Sequence, residues 1–177
     1  MKKFLLLLAA GTILYACKDE KKADAGGGGM ENKTVTLPLN PTYSSSFEMG
    51  NQEYAAMIVQ GSWKDWSDNK LENMKNWLAD TVVAFHSDNS MIKGADSLMA
   101  GWMRARAKYS SSIDTINAVM AVRSIDKKED WVLVWATAID TKLDGTVDTV
   151  GLQETWRINK DGKADLLLQY DRAKRKE

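Results

Sequence analysis

"VGLQETWRINKDGKADLLLQYD", Val150 to Asp171, decides the fold. Val150, Leu152, Glu154, Trp156 and Ile158 recur at every second position, the period of a strand with one buried face. Asp161-Gly162 then turns the chain, because glycine accepts the backbone angles a tight hairpin demands. Ala164 to Asp171 returns as a second strand. One carboxyl, Glu154, sits among the apolar residues of the first strand's face, and that placement asks for a chemical explanation.

The same pattern extends outward. Asp144-Gly145 is another two-residue hairpin signal, preceded by a long strand from Trp131 to Thr141 with Trp131, Leu133 and Trp135 on one face. Asp126 to Asp130 reads as a charged hairpin loop. Before it, Ile116, Ala118, Met120 and Val122 alternate with polar partners. Everything after about residue 116 is therefore an antiparallel meander.

Upstream the period changes to that of a helix. Ala55, Ile58, Val59, Ser62, Trp63 and Trp66 make one broad face starting near Asn51, and Ser67-Asp68-Asn69 breaks it. Leu71, Met74 and Leu78 predict a short second helix ending at Asp80. Thr81 to His86, "TVVAFH", is β-branched and aromatic and reads as a strand. Ser87-Asp88-Asn89 is a turn. After Gly94, the spacing of Leu98, Trp102, Ala105 and Tyr109 predicts a third helix. Helices followed by a meander give an α+β domain with helices on one face of the sheet.

The front of the chain is an address. Lys2 and Lys3 precede an apolar run from Phe4 to Leu14, the form of a secretory signal and too short for a membrane span. Leu14-Tyr15-Ala16-Cys17 resembles the lipobox of bacterial lipoproteins, with Tyr15 bulkier than is usual there. The resemblance implies that Cys17, the one cysteine of the chain, takes a lipid and anchors the mature protein to a membrane. A lone thiol has no disulfide partner. Lys18-Asp19-Glu20 looks like the export tag of surface lipoproteins in some Gram-negative bacteria, and a plain solvated linker is the alternative. Residues 17–46 contain Gly26 to Gly29, both prolines and few apolar side chains, so a disordered tether is expected. The domain then covers residues 47–174.

All seven tryptophans lie inside that domain. Removing residues 1–16 takes away two lysines and no acid, which leaves a small negative charge and argues against nucleic acid as a partner. One histidine and a lipidated cysteine are too few soft or borderline ligands for a transition-metal site, and no cofactor motif appears.

The order of elements resembles the nuclear transport factor 2-like superfamily, which includes SnoaL-like polyketide cyclases and ketosteroid isomerase. Three pieces carry the resemblance: "WLADTVVAFHSD", "IKGADSLMAGW" and "GLQETWRINKDGKADLLLQYD". It implies a curved antiparallel sheet wrapped into a cone around the N-terminal helices, with an apolar pocket inside. Carried over residue by residue, Phe85 or His86 stands where the isomerase base would be, and Glu154 where an oxyanion acid would be. The expected tyrosine of the first helix is missing, since Gly61, Ser62 and Trp63 occupy that place. Isomerase chemistry of that type is not expected.

The candidate pocket residues are Trp63, Trp66, His86, Trp102, Trp135, Glu154 and Trp156. Glu154 is read either as a proton donor to a ligand carbonyl or as a structural carboxyl bonded to His86 or Arg157. Gln153, Gln169, Asp171 and Arg104 are lesser options, and Asp114, Asp140, Asp148 and Asp165 read as solvated positions. The leading expectation is non-catalytic binding of a small apolar or amphipathic ligand. Its rivals are an enzyme with His86 as base and Glu154 as donor, and a homodimer formed through the outer sheet face.

Overall fold

The structure is a computed structural model and describes residues 37–172. The expected signal, Cys17 and the expected tether up to residue 36 lie outside the described residues, as do residues 173–177. Residues 37–40 carry no regular structure. From Pro41 onward the described chain forms one compact unit. No helix among the described residues is long and apolar enough to cross a membrane.

The tether gives way earlier than composition suggested. The Tyr43 hydroxyl bonds the Glu129 carboxylate and accepts from Trp131 Nε1 at 3.1 Å, while Ser44 bonds Asp126. Polar residues that look like linker here find partners on the loop before the second long strand. They lead into a strand absent from the sequence reading, β1 (Phe47–Met49), which pairs with the edge of the sheet.

Asn51 caps the first helix by accepting the Glu53 N–H at 3.0 Å. α1 (Gln52–Ile58) continues as a π-helix over Val59–Lys64 and closes with α2 (Asp65–Ser67), one unbroken run as the periodicity predicts. The wide turn carries Gly61 against Trp77. A Cβ on Gly61 would lie 2.3 Å from Trp77 Nε1, so only glycine fits.

The second helix is a 3₁₀ segment, Leu71–Asn76, with Leu71 and Met74 buried at the three-residue spacing that geometry allows. Leu78 belongs not to it but to β2 (Leu78–Phe85), where it pairs beside Ala164. A short β3 (Met91–Lys93), unforeseen because three residues show no period, completes a hairpin with β2. Gly94, at φ +87°, opens α3 (Ala95–Arg106). Tyr109 does not extend α3 but begins β4, because the buried Arg106 guanidinium gathers the carbonyls of Trp66, Ser67 and Tyr109 and ends the helix.

β4 (Tyr109–Ser124), β5 (Asp130–Lys142), β6 (Val147–Ile158) and β7 (Ala164–Asp171) form the meander. The sheet order is β1-β4-β5-β6-β7-β2-β3, antiparallel throughout except for the parallel pair β2–β7. Register shifts at Tyr109/Ser111 and Ile116/Ala118 in β4, and at Arg157/Ile158 in β6, bend the strands. The open, curved sheet closes over the helices, as expected of a cone.

Trp131, Leu133 and Trp135 share one face of β5, as their spacing predicts, but it is not the face that could carry Trp135 into an inner pocket. Val132, Val134, Ala136 and Ala138 of β5 are the buried face, and Trp131, Leu133 and Trp135 stand on the outer one. The small aliphatic residues of β5 face inward beside Trp156 of β6 and the indoles of the helical layer, whose bulk leaves no room there for a second set of rings. The inner core joins Val132, Val134, Trp156 and Leu167 to Ile58, Trp63, Leu98 and Trp102.

Candidate ligand-binding site

Between α1–α2, α3 and the inner sheet face lies a cavity of about 620 Å³, within the usual range for small-molecule sites. Four indoles run edge to face through the interior: Trp77–Trp156 at 5.3 Å, Trp156–Trp102 at 6.2 Å and Trp102–Trp66 at 6.0 Å between ring centroids. The chain of rings passes from solid core to open wall. Trp77 and Trp156 pack inside, while Trp66, Trp102 and Trp63 face the cavity.

Glu154 lies beside this space, nearly inaccessible to solvent. Oε2 accepts from Ser62 Oγ at 3.1 Å and from Trp156 Nε1 at 2.9 Å, and Oε1 accepts from Gln169 Nε2 at 3.0 Å. Burial pushes the carboxyl above the usual carboxylate range. The three donors pull the other way without cancelling it. The partners differ from those expected: neither His86 nor Arg157 touches Glu154, and Arg157 pairs with Asp165 at 2.8 Å instead.

His86 reaches Glu154 through Gln169. Because Gln169 Nε2 donates to Glu154, its Oε1 faces His86 Nδ1 at 3.1 Å and requires a proton there. In the neutral ring that leaves Nε2 as a bare acceptor, and Nε2 is buried with no protein partner among the described residues. Trp63 Nε1 is likewise buried and unpartnered. His86 and Glu154 thus line one cavity, bridged by a single amide.

Five of the seven predicted pocket residues line this cavity: Trp63, Trp66, His86, Trp102 and Glu154. Two do not. Trp135 lies on the outer face with Gln153 and Asp171, along a separate groove, because the inward face of β5 is the aliphatic one. Trp156 is wholly buried in the core and acts on the site through its N–H to Glu154. Arg104 is exposed on α3.

Asp114 and Asp140, read as solvated, are half-buried in the cavity wall. Asp114 accepts from Ser67 Oγ at 2.8 Å. Trp66 Nε1 donates to Ser112 Oγ at 2.9 Å, and Ser112 donates to Asp140. Burial pushes Asp114 up to about 6; the Ser67 hydroxyl opposes this, Asp140 adds to it, and Arg106 lowers it slightly. Their signal was legible: Asp140 continues the two-residue period of Val134, Ala136 and Ala138, and Asp114 lies opposite Ala138. Asp165 faces outward and pairs with Arg157, whereas Asp148, directly opposite Asp140 in the register, shares the side of the sheet that carries Asp140 and is half-buried, paired with Lys142 at 3.2 Å. Among the described residues no group of three or more His, Cys, Asp or Glu side chains is placed to hold a metal ion.

Neither a protein-family model nor a curated protein matches the sequence. Solved structures do match. An LEH-like epoxide hydrolase of M. tuberculosis shares 15% identity over 68% of this chain and 84% of its own, with a TM-score of 0.56. A nuclear transport factor 2-like protein of unknown function from Burkholderia pseudomallei shares 17% over 68% and 91%, with a TM-score of 0.54. A protein described as a polyketide cyclase from Xanthomonas campestris shares 11% over 68% and 92%, with a TM-score of 0.51. At such identities the likeness is one of architecture. The described domain has the nuclear transport factor 2-like fold, the fold also of ketosteroid isomerase-like and cyclase-like proteins.

Proposed function

We propose that this domain binds a small amphipathic molecule without turning it over, and that lipid on Cys17 holds it at a membrane of the bacterial cell envelope. The observation that carries the binding reading is the cavity itself. About 620 Å³ of space, walled by indoles and Ile92 and Leu152, lies against a buried carboxyl. An apolar body gains roughly 25 cal/mol for each Å² it removes from water, and the polar side chains of the wall, Asp114 and Asp140 among them, give it orientation. The envelope reading rests on the signal and on Leu14-Tyr15-Ala16-Cys17. Native mass spectrometry of protein from its own membrane tests both: the expected result is an acylated mass with a retained small molecule. An unmodified, empty protein contradicts both halves.

A second reading is an enzyme that uses His86 as base. The bare Nε2, held by Gln169 in one tautomer, favours it. The ring is oriented through its other nitrogen, as general-base histidines are. Against it, Ser62 donates to Glu154 where the isomerase tyrosine would be, and the carboxyl has donors on both oxygens. Little remains for Glu154 to offer a substrate.

A further inference from the structure

The ligand of this cavity carries a positive charge: we infer that the site takes an organic amine or ammonium with an apolar body, its cation seated between Asp114 and Asp140. The inference deepens the binding reading and rests on it.

Asp114 and Asp140 are diagonal neighbours on the inner face, on adjacent strands, with Asp140 opposite Ser112 and Asp114 opposite Ala138. Like charges at that spacing repel. Elsewhere in the domain Asp130, Asp165 and Asp148 are neutralised by Arg123, Arg157 and Lys142, and the buried Asp65 is held by the amides of Gln60 and Asn73. Asp114 and Asp140 have no ion pair among the described residues, only the hydroxyls of Ser67 and Ser112. Arg106 spends its guanidinium on three backbone carbonyls, and Lys142, two residues beyond Asp140, is paired with Asp148; neither lines the cavity. Asp88 also lines the wall, as does Glu154 with its proton held by burial, and no lysine or arginine does. The space is anionic and unneutralised, a cost that a cationic guest removes.

The aromatic wall decides which cation. Trp66, Trp102 and Tyr109 line the same cavity. Ring faces attract an alkylated ammonium electrostatically while burying its carbons, whereas a hydrated metal ion gains nothing from indoles. Trp66 is tied to the acids directly, through Ser112 to Asp140. Length follows from the register. Glu154 is opposite Val134 and Asp114 opposite Ala138, four residues apart on β5, or roughly 13 Å along the strand. A cation at one end therefore leaves space for a body reaching toward His86, Trp63 and Glu154.

The test uses three probes with one body: 4-phenylbutylamine, 4-phenylbutanol and 4-phenylbutanoate, titrated calorimetrically into the soluble domain at pH 8, where Asp114 is ionised. The amine is expected to bind at least ten times more tightly than the alcohol, and the carboxylate more weakly than either. Asp114→Asn and Asp140→Asn should each cost the amine several-fold and leave the alcohol unchanged, which also reports that the variants are folded. If alcohol or carboxylate binds as well as the amine, the charge assignment is wrong and the cavity reading survives. If the amine's advantage persists in both variants, the cation sits elsewhere. If none of the three binds at millimolar concentration, the cavity reading falls with it.

Discussion

Replacing Glu154 by Gln should flatten one component of the protein's pH dependence. In the folded state burial raises the carboxyl's pKa, so the native protein holds a proton that the unfolded chain releases once pH passes the ordinary glutamate range, about 4.3. The sign follows. Stability from the neutral carboxyl is present below that value and is lost as pH rises toward the folded pKa. While the native state holds one proton more than the unfolded state, the loss is about 1.4 kcal/mol per pH unit. Glutamine has the same shape and no titration. Its amide oxygen can take the Ser62 and Trp156 donors, so the variant keeps most of the local bonding. The assay is urea denaturation of both proteins from pH 4 to pH 8, comparing the difference in unfolding free energy at each pH. Asp114 titrates nearby in both proteins and largely cancels in that difference. Wild type should lose ground to Glu154→Gln as pH rises from about 4.5. A difference that stays flat, or that favours wild type at higher pH, would mean the three donors outweigh burial and the carboxyl is an ordinary buried carboxylate.

The sole histidine makes its tautomer directly readable by nitrogen-15 NMR on untagged protein: His86 should be protonated at Nδ1 in the wild type. In Glu154→Gln the amide at 154 presents N–H to Gln169, which turns its own amide and moves the proton of His86 to Nε2; an unchanged spectrum argues against the bridge. Gly61→Ala should cost about 3 kcal/mol, the upper end for overpacking, since its Cβ meets the buried Trp77 ring at 2.3 Å. Wild-type stability by denaturant melt would show that Trp77 has room to retreat. Arg106→Met leaves three carbonyls without their donor and should cost at least about 3 kcal/mol by the same measurement. Trp135→Ala should leave amine binding within two-fold of wild type, whereas Trp102→Ala should weaken it; equal losses would place the ligand on the outer face instead.

Much of the fold was legible because period two and period 3.6 are local properties. The strands β4 to β7 and the helices bearing Trp63 and Trp102 show it over many residues. Elements of three residues, β1 and β3, have no period to read. Leu71 and Met74 fit a 3₁₀ turn as well as an α-helix, and Leu78 was assigned to the wrong element because apolar spacing does not reveal where a chain straightens.

By itself the sequence determined alternation: that Glu154 shares a strand face with Leu152 and Trp156, and that Asp140 shares one with Ala138. It did not determine which of two faces points inward on β5, since Trp-Leu-Trp and Val-Val-Ala are both apolar. Only the tertiary structure decided that, because the indoles of Trp156 and of the helical layer already fill the concave side next to β5. The same decision turned Asp114 and Asp140 into a cavity wall and sent Trp135 outside. Which residues meet is a matter of bending and register across strands far apart in the chain, and no local period carries that.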